Sequence, residues 1–200
     1  DVYKRQGKAR YITPAGEIGR SIFVYNPATK AWNYFDKEGN RVTGRQYIDG
    51  HLYYFKEDGS QAKGEIIEEN GIKYYYEPES GILASGRYLQ VGDDQWMYFK
   101  QDGSLAIGQV RADHGYLKYF DKNGIQVKGK TIVEDGKTYY YDAHSGALVT
   151  SSFAEIAPNQ WSYFNTDGQA LKGKWTINGK EYYFDENGIQ SVSYTHLTLP

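Results

Sequence analysis

Ile177-Asn178-Gly179-Lys180-Glu181-Tyr182-Tyr183-Phe184-Asp185-Glu186-Asn187-Gly188 contains one structural unit in twelve residues. Asn-Gly accepts positive φ at both central positions of a two-residue type I′ turn, and the residues on either side suit strands, so the stretch reads as a β-hairpin. The aromatic pair Tyr183-Phe184 and the following Gly188 recur as Tyr34-Phe35 with Gly39, Tyr54-Phe55 with Gly59, Tyr75-Tyr76 with Gly81 and Tyr98-Phe99 with Gly103. They recur again as Tyr119-Phe120 with Gly124, Tyr140-Tyr141 with Gly146 and Tyr163-Phe164 with Gly168. The second aromatics are 20, 21, 23, 21, 21, 23 and 20 residues apart. That spacing is the signature of a repeat array in which each hairpin packs on its neighbours.

The rest of the pattern fits this reading. A second glycine follows the first at Gly44, Gly64, Gly86, Gly108, Gly129 and Gly173, with Ser151 in its place once. Asp49-Gly50, Asn70-Gly71 and Asp135-Gly136 repeat the hairpin signal, and His114-Gly115 takes the same place. A lone hairpin is marginal in water, so stacking through aromatics is required. The expected fold is all-β, an elongated β-solenoid of stacked hairpins, with no helix longer than about two turns within residues 11–190. The second aromatics, Phe35, Phe55, Phe99, Phe120, Phe164 and Phe184 among them, are the expected core.

Composition agrees. The chain has 21 Tyr and 23 Gly among 200 residues, and its mean hydropathy is −0.73, too polar for one aliphatic core. Net charge is −2 with no basic stripe, which argues against a nucleic-acid partner. The absence of Cys rules out disulfides and thiolate metal sites, and no apolar run reaches the roughly 20 residues of a membrane span. No signal peptide is visible, and the chain reads as an internal piece of a longer protein.

A longer period is superimposed. Trp32, Trp96 and Trp161 lie 64 and 65 residues apart and open blocks of three repeats. The hairpins before Trp96 and Trp161 are expected to have longer loops, Gly92-Asp93-Asp94 and Ala157-Pro158-Asn159. The Trp rings read as packing plates. Residues 7–190 are expected to hold about eight repeats of roughly 21 residues. Residues 1–6 and 191–200 lack the repeat's glycines and aromatic pair and read as foreign, adapter-like ends.

Ile48-Asp49-Gly50-His51-Leu52-Tyr53-Tyr54-Phe55 and the Ile177–Gly188 stretch resemble the cell-wall- and glucan-binding repeats of bacterial glucansucrases, the dextransucrase-type glucosyltransferases. The resemblance covers nearly all of residues 11–190, and choline-binding repeats and toxin receptor-binding repeats share the same hairpin logic. It implies a non-catalytic module on the surface of, or secreted by, a Gram-positive bacterium, belonging to a glucosyltransferase and binding its α-glucan product. It also implies sugar pockets that combine a Tyr of the aromatic motif with a Gln-x-Lys stretch. These match Tyr54 with Gln61 and Lys63, and Tyr119 with Gln126 and Lys128. The third repeat of this kind keeps Gln190 but has Val192 in place of Lys. Gln169-Ala170-Leu171-Lys172 has one residue too many.

The chemistry of such a site is plain. A pyranose presents its C–H face to an aromatic ring, while Gln both donates and accepts and Lys supplies three donors to hydroxyls. No cofactor, metal or catalytic group is expected: His51, His114, His144 and His196 are scattered, and the carboxylate pairs sit in turns rather than across a cleft. A monomer is expected. Two other readings remain open, a choline- or teichoic-acid-binding anchor and a host-glycan-binding toxin or adhesin repeat. Choline calls for an aromatic cage, which Lys63 and Lys128 would oppose.

Overall fold

The computed structural model describes residues 2–5 and 8–191, with side chains from Ala9 onward. Two-stranded antiparallel hairpins make up the described structure. They are β1 (Val2–Arg5) with β2 (Lys8–Tyr11), β3 (Ile22–Asn26) with β4 (Ala31–Phe35), β5 (Gly44–Ile48) with β6 (His51–Phe55), and β7 (Glu65–Glu69) with β8 (Ile72–Tyr76). Then follow β9 (Arg87–Gly92) with β10 (Gln95–Phe99), β11 (Gly108–Arg111) with β12 (Leu117–Phe120), and β13 (Lys130–Glu134) with β14 (Lys137–Tyr141). Last are β15 (Ser152–Ala157) with β16 (Gln160–Phe164) and β17 (Gly173–Ile177) with β18 (Lys180–Phe184). The one helical turn among the described residues is the 3-10 segment Asp113–Gly115. The all-β class and the hairpin at every aromatic pair are as the sequence predicts.

The chain divides into two compact units. One takes the described residues up to Arg87 together with Phe99–Leu105. The other takes Tyr88–Tyr98 and the described residues from Ala106 onward.

Both units follow the same packing rule. The second aromatic of every pair, Phe35, Phe55, Tyr76, Phe99, Phe120, Tyr141, Phe164 and Phe184, is 0% exposed. Its cover is an aromatic of the preceding hairpin. In the first unit Tyr11 lies 5.9 Å from Phe35, Tyr54 5.9 Å from Tyr76 and Tyr75 5.7 Å from Phe99, between ring centroids. In the second, Tyr98 lies 6.0 Å from Phe120, Tyr119 5.6 Å from Tyr141 and Tyr140 6.0 Å from Phe164. Burying one such ring is worth roughly 1.5–3 kcal/mol. The backbone repeats the same offset: the segment after each hairpin donates to a strand of the hairpin before it, as Gln61 N–H does to Trp32 O (2.7 Å) and Gln126 N–H to Trp96 O (2.8 Å).

The turns carry the positive φ that the sequence demands. Asp49 and Gly50 (φ 47° and 84°), Asn70 and Gly71, Asp135 and Gly136, and Asn178 and Gly179 are all left-handed, as type I′ requires. Three turns differ from expectation. His114-Gly115 belongs to a longer connection, because strand pairing ends at Arg111↔Leu117 and Ala112 N–H bonds Tyr116 O across the 3-10 turn. The loops foreseen before Trp96 and Trp161 are instead two-residue turns on six-residue strands. In β15 the added residue is absorbed as a bulge between Glu155 and Ala157.

At the ends, Val2–Arg5 pairs with Lys8–Tyr11, so strand pairing reaches into the segment read as foreign. The other foreign segment falls, from residue 192 on, outside the described residues.

In most turns after an aromatic pair an Asp acts as a cap, with Asn165 in that role after Tyr163-Phe164. Asp58 Oδ1 accepts from Ser60 N–H (2.8 Å) and Ser60 Oγ–H (2.5 Å), and Asp102 and Asp142 do the same for Ser104 and Ser145. These bonds favour the charged form. The hydroxyl bond first, then the amide bond, holds Asp58 and Asp102 below the ordinary carboxylate value of 3.8, and for Asp142 the order is reversed.

Two measurements test this frame. Ser151 adopts φ 49° where most repeats use Gly, as Ser21 does before β3 at φ 47°, a conformation costing a non-glycine residue about 1–2 kcal/mol, against about 0.5–1 kcal/mol for glycine's greater freedom when unfolded. Ser151→Gly is expected to raise the unfolding free energy by about 0.5–1 kcal/mol in urea titration. Because the folded pKa values of Asp58, Asp102 and Asp142 are depressed, their contribution is present above about pH 4 and is lost as pH falls through the folded values. The melting temperature should therefore drop below pH 4, and drop less in the triple Asp→Asn variant.

Candidate functional site

In the first compact unit, Gln61 and Lys63 turn toward the Glu77–Gly81 loop. Gln61 Nε2 donates to Ser80 O at 3.0 Å, and Lys63 Nζ donates to Glu79 O at 2.7 Å. Gln61 is only 7% exposed, because the loop folds over it. Gly81 makes room, since a Cβ there would lie 2.2 Å from Gln61 Nε2.

In the second compact unit Gln126 does the same against the Asp142–Gly146 loop, with a looser fit, while Lys128 takes a different partner. Gln126 Nε2 donates to Ser145 O at 3.3 Å, and Lys128 Nζ pairs with Asp94 Oδ1 at 3.0 Å. A cavity of about 290 Å³ opens here, lined by Tyr88, Trp96, Lys118, Gln126, Lys128 and the His144-Ser145 turn. An aromatic face, an amide and ammonium donors thus meet in one hollow.

The two predicted tyrosines are half-buried, and each packs on the ring of the next hairpin. The Tyr54 ring packs on Tyr76. Tyr119 packs on Tyr141 and does not line the cavity, and its hydroxyl is pushed above its ordinary value first by a hydrogen bond to Glu134 and then by burial. Strand alternation is the reason: adjacent side chains face opposite ways, and these positions are committed to covering the next hairpin's ring. The aromatic wall is Trp96. The block-opening tryptophans leave part of their surface free: Trp32 is 39% and Trp161 44% exposed, although Trp32 also packs edge-on against Tyr25 at 5.6 Å.

Reading the residues singly misses Tyr88, Lys118 and Asp113, but comparing the blocks by strand register reveals them. Phe23 and Tyr53 in the first block, and Phe153 and Tyr182 in the third, form close aromatic pairs at 5.4 and 5.0 Å. In the second block Tyr88 and Lys118 stand at those positions. Lys118 is buried, with Nζ 3.0 Å from Asp113 Oδ1 and 5.0 Å above the Tyr88 ring. Tyr88 O–H donates to the same carboxylate oxygen at 2.6 Å. Burial, then this bond, pushes the Tyr88 hydroxyl far up. For Asp113, burial acts upward, but the bonds from Tyr88 and Lys118 outweigh it and hold the carboxyl low. The charged Lys118 therefore occupies the cation position on the Tyr88 ring.

A family model for the choline-binding repeat matches residues 27–58, 42–88 and 113–153, more than half of the chain. The chain belongs to this repeat family. A related cell wall binding repeat matches residues 152–170 and 176–189. The family's hairpin arrays are binding modules, and this chain is one of them rather than a catalytic domain. It is 39% identical to Glucosyltransferase-S of Streptococcus mutans over 160 residues, 80% of the chain and 11% of that protein. It is equally identical to Glucosyltransferase-I of Streptococcus downei over 162 residues, 80% of the chain and 10% of that protein. The chain thus spans about a tenth of the length of these relatives, and its repeats are of the kind they carry. Among solved structures, the choline-binding domain of CbpL from Streptococcus pneumoniae is 24% identical, with TM-score 0.70 over 96% of this chain and 97% of that one. CbpJ, from the same species, is 21% identical with TM-score 0.73 over 94% of this chain and 73% of that one. These two establish a shared fold.

The polar triad is testable as a unit. Asp113→Asn leaves the Lys118 ammonium buried without a counter-charge. It should cost about 2 kcal/mol, below the 3–5 kcal/mol of a fully buried pair because Asp113 is partly exposed. Replacing the pair by the aromatics of the other blocks, Tyr88→Phe with Lys118→Tyr, should be nearly neutral in urea titration.

Proposed function

We propose that this chain is the carbohydrate-binding part of a secreted or cell-surface glucosyltransferase and that it retains an α-glucan, a dextran-like polymer, as a monomer. The observation that carries the reading is the second-block cavity, which sets the Trp96 face beside Gln126 and Lys128. A pyranose can stack on the indole while its hydroxyls accept from the amide and the ammonium. Similarity to streptococcal glucosyltransferases supports the assignment. Gln61 and Lys63 make a second such element in the first compact unit, where a sugar would compete with Ser80 O and Glu79 O for their donors.

The family's description favours a second reading, a quaternary ammonium ligand. Against it stands Lys118, whose ammonium already occupies the Tyr88 face in this cavity. A second cation there meets both Lys118 and Lys128.

Binding at each element should be weak for a short oligosaccharide, which displaces water for a few hydrogen bonds, and stronger by roughly 10²-fold for a polymer engaging several. Electrophoresis through gels containing dextran should retard the wild type, and 10 mM choline should not release it. Gln126→Ala with Lys128→Ala should remove most of the retardation while circular dichroism stays unchanged. Full retardation of the folded double variant, or release by choline, would overturn the reading.

A further inference from the structure

A second hollow in the second compact unit is lined by the Gly136-Lys137 turn on one side and by Gln169, Leu171, Lys172 and Trp175 on the other, with a volume of about 280 Å³. Its two walls are tied together where Ala170 N–H donates to Thr138 O at 2.8 Å. It is separate from the Trp96 cavity.

Register shows what is unusual about it. Trp175 pairs with Tyr182 across β17 and β18, the place that Gln46 holds opposite Tyr53 and Val110 holds opposite Lys118. Gln46 Nε2 donates to the carbonyl three residues back, Thr43 O, at 2.7 Å. Trp175 Nε1 makes the equivalent bond to Lys172 O at 2.8 Å. The indole thus keeps the local hydrogen bond of a glutamine and adds a large apolar face, 46% exposed. With its N–H satisfied by backbone, what the ring offers a ligand is that face. Around it stand donors. Among the described residues no ion pair engages Lys137 or Lys172, whereas the adjacent Lys174 is paired with Glu181 at 2.7 Å. The Gln169 backbone is held by Asn165, whose Oδ1 accepts from Gln169 N–H at 2.9 Å.

We propose that Trp175, Gln169, Lys172 and Lys137 form a saccharide-binding site of their own, taking one neutral pyranose of the same α-glucan. The claim rests on the α-glucan reading for its ligand. The indole face supplies the stacking surface for pyranose C–H groups, worth more once the ring's exposed area leaves water. The two ammonium groups and the Gln169 amide supply donors to neutral hydroxyls. Gln169-Ala170-Leu171-Lys172 has one residue more than the Gln-x-Lys stretches, and Trp175 lies three residues beyond Lys172, so this site is built from one segment with Lys137 opposite.

Trp175→Gln tests the site with the fold preserved, because Gln46 shows that glutamine makes the same backbone bond at this position. Calorimetric titration with isomaltotriose should find one site fewer per chain in Trp175→Gln than in the wild type. Dextran retention should weaken about tenfold through the lost contact, at an unchanged melting temperature. Gln126→Ala with Lys128→Ala should leave the Trp175 site filled. Unchanged stoichiometry and retention in Trp175→Gln would overturn the site while leaving the α-glucan reading intact. If the wild type binds neither isomaltotriose nor dextran, that reading falls, and the site is decided by fluorescence of a Trp32→Phe, Trp96→Phe, Trp161→Phe variant titrated with maltotriose, cellotriose and chitotriose. A response of Trp175 keeps a saccharide site with another pyranose, and silence across the panel overturns it.

Discussion

Everything in this protein depends on one contact: the second aromatic of a hairpin is sealed by an aromatic of the hairpin before it. Among the described residues, the buried second aromatic of each hairpin relies on a ring from outside that hairpin for its cover. Phe120 and Tyr141 reach 0% exposure only because Tyr98 and Tyr119 lie over them. Each ring thus serves two hairpins, and the chain advances by a fixed step of 20–23 residues because the strands, the turn and the return to the next ring have fixed lengths. The backbone bond from each connecting segment to the preceding hairpin locks the step. This makes the stability of the array a sum over neighbours.

That contact also determines where ligands can go. A tyrosine used as a lid on the next ring has one part of its surface committed to packing, as Tyr54 has on Tyr76 and Tyr119 on Tyr141. Side chains that the ladder does not consume are left for chemistry: the exposed tryptophans, the Gln-x-Lys stretches and the occasional residue that departs from the repeat. Lys118 is such a departure. A buried ammonium is tolerable only with a counter-charge, and Asp113 is available because the longer 3-10 connection brings it there. The result is a cavity in the second block whose electrostatics the other two blocks, with aromatic pairs at those positions, do not share.

The sequence by itself determined the frame. Asn-Gly and Asp-Gly dipeptides require left-handed turn residues, the aromatic pairs repeat at a constant interval, and local rules suffice to convert both into hairpins and core rings. Gln61, Lys63, Gln126 and Lys128 were also legible as polar groups of one kind in one place. Only the tertiary structure decided what these groups touch. The Gln-x-Lys side chains meet loops some 16–19 residues further on, Asp94 reaches Lys128 across 34 residues, and Trp96 rather than Tyr119 becomes the cavity wall. The physical reason is that hairpin formation depends on neighbours in sequence, whereas a binding surface depends on which side chains from different hairpins the ladder leaves uncovered on the same face.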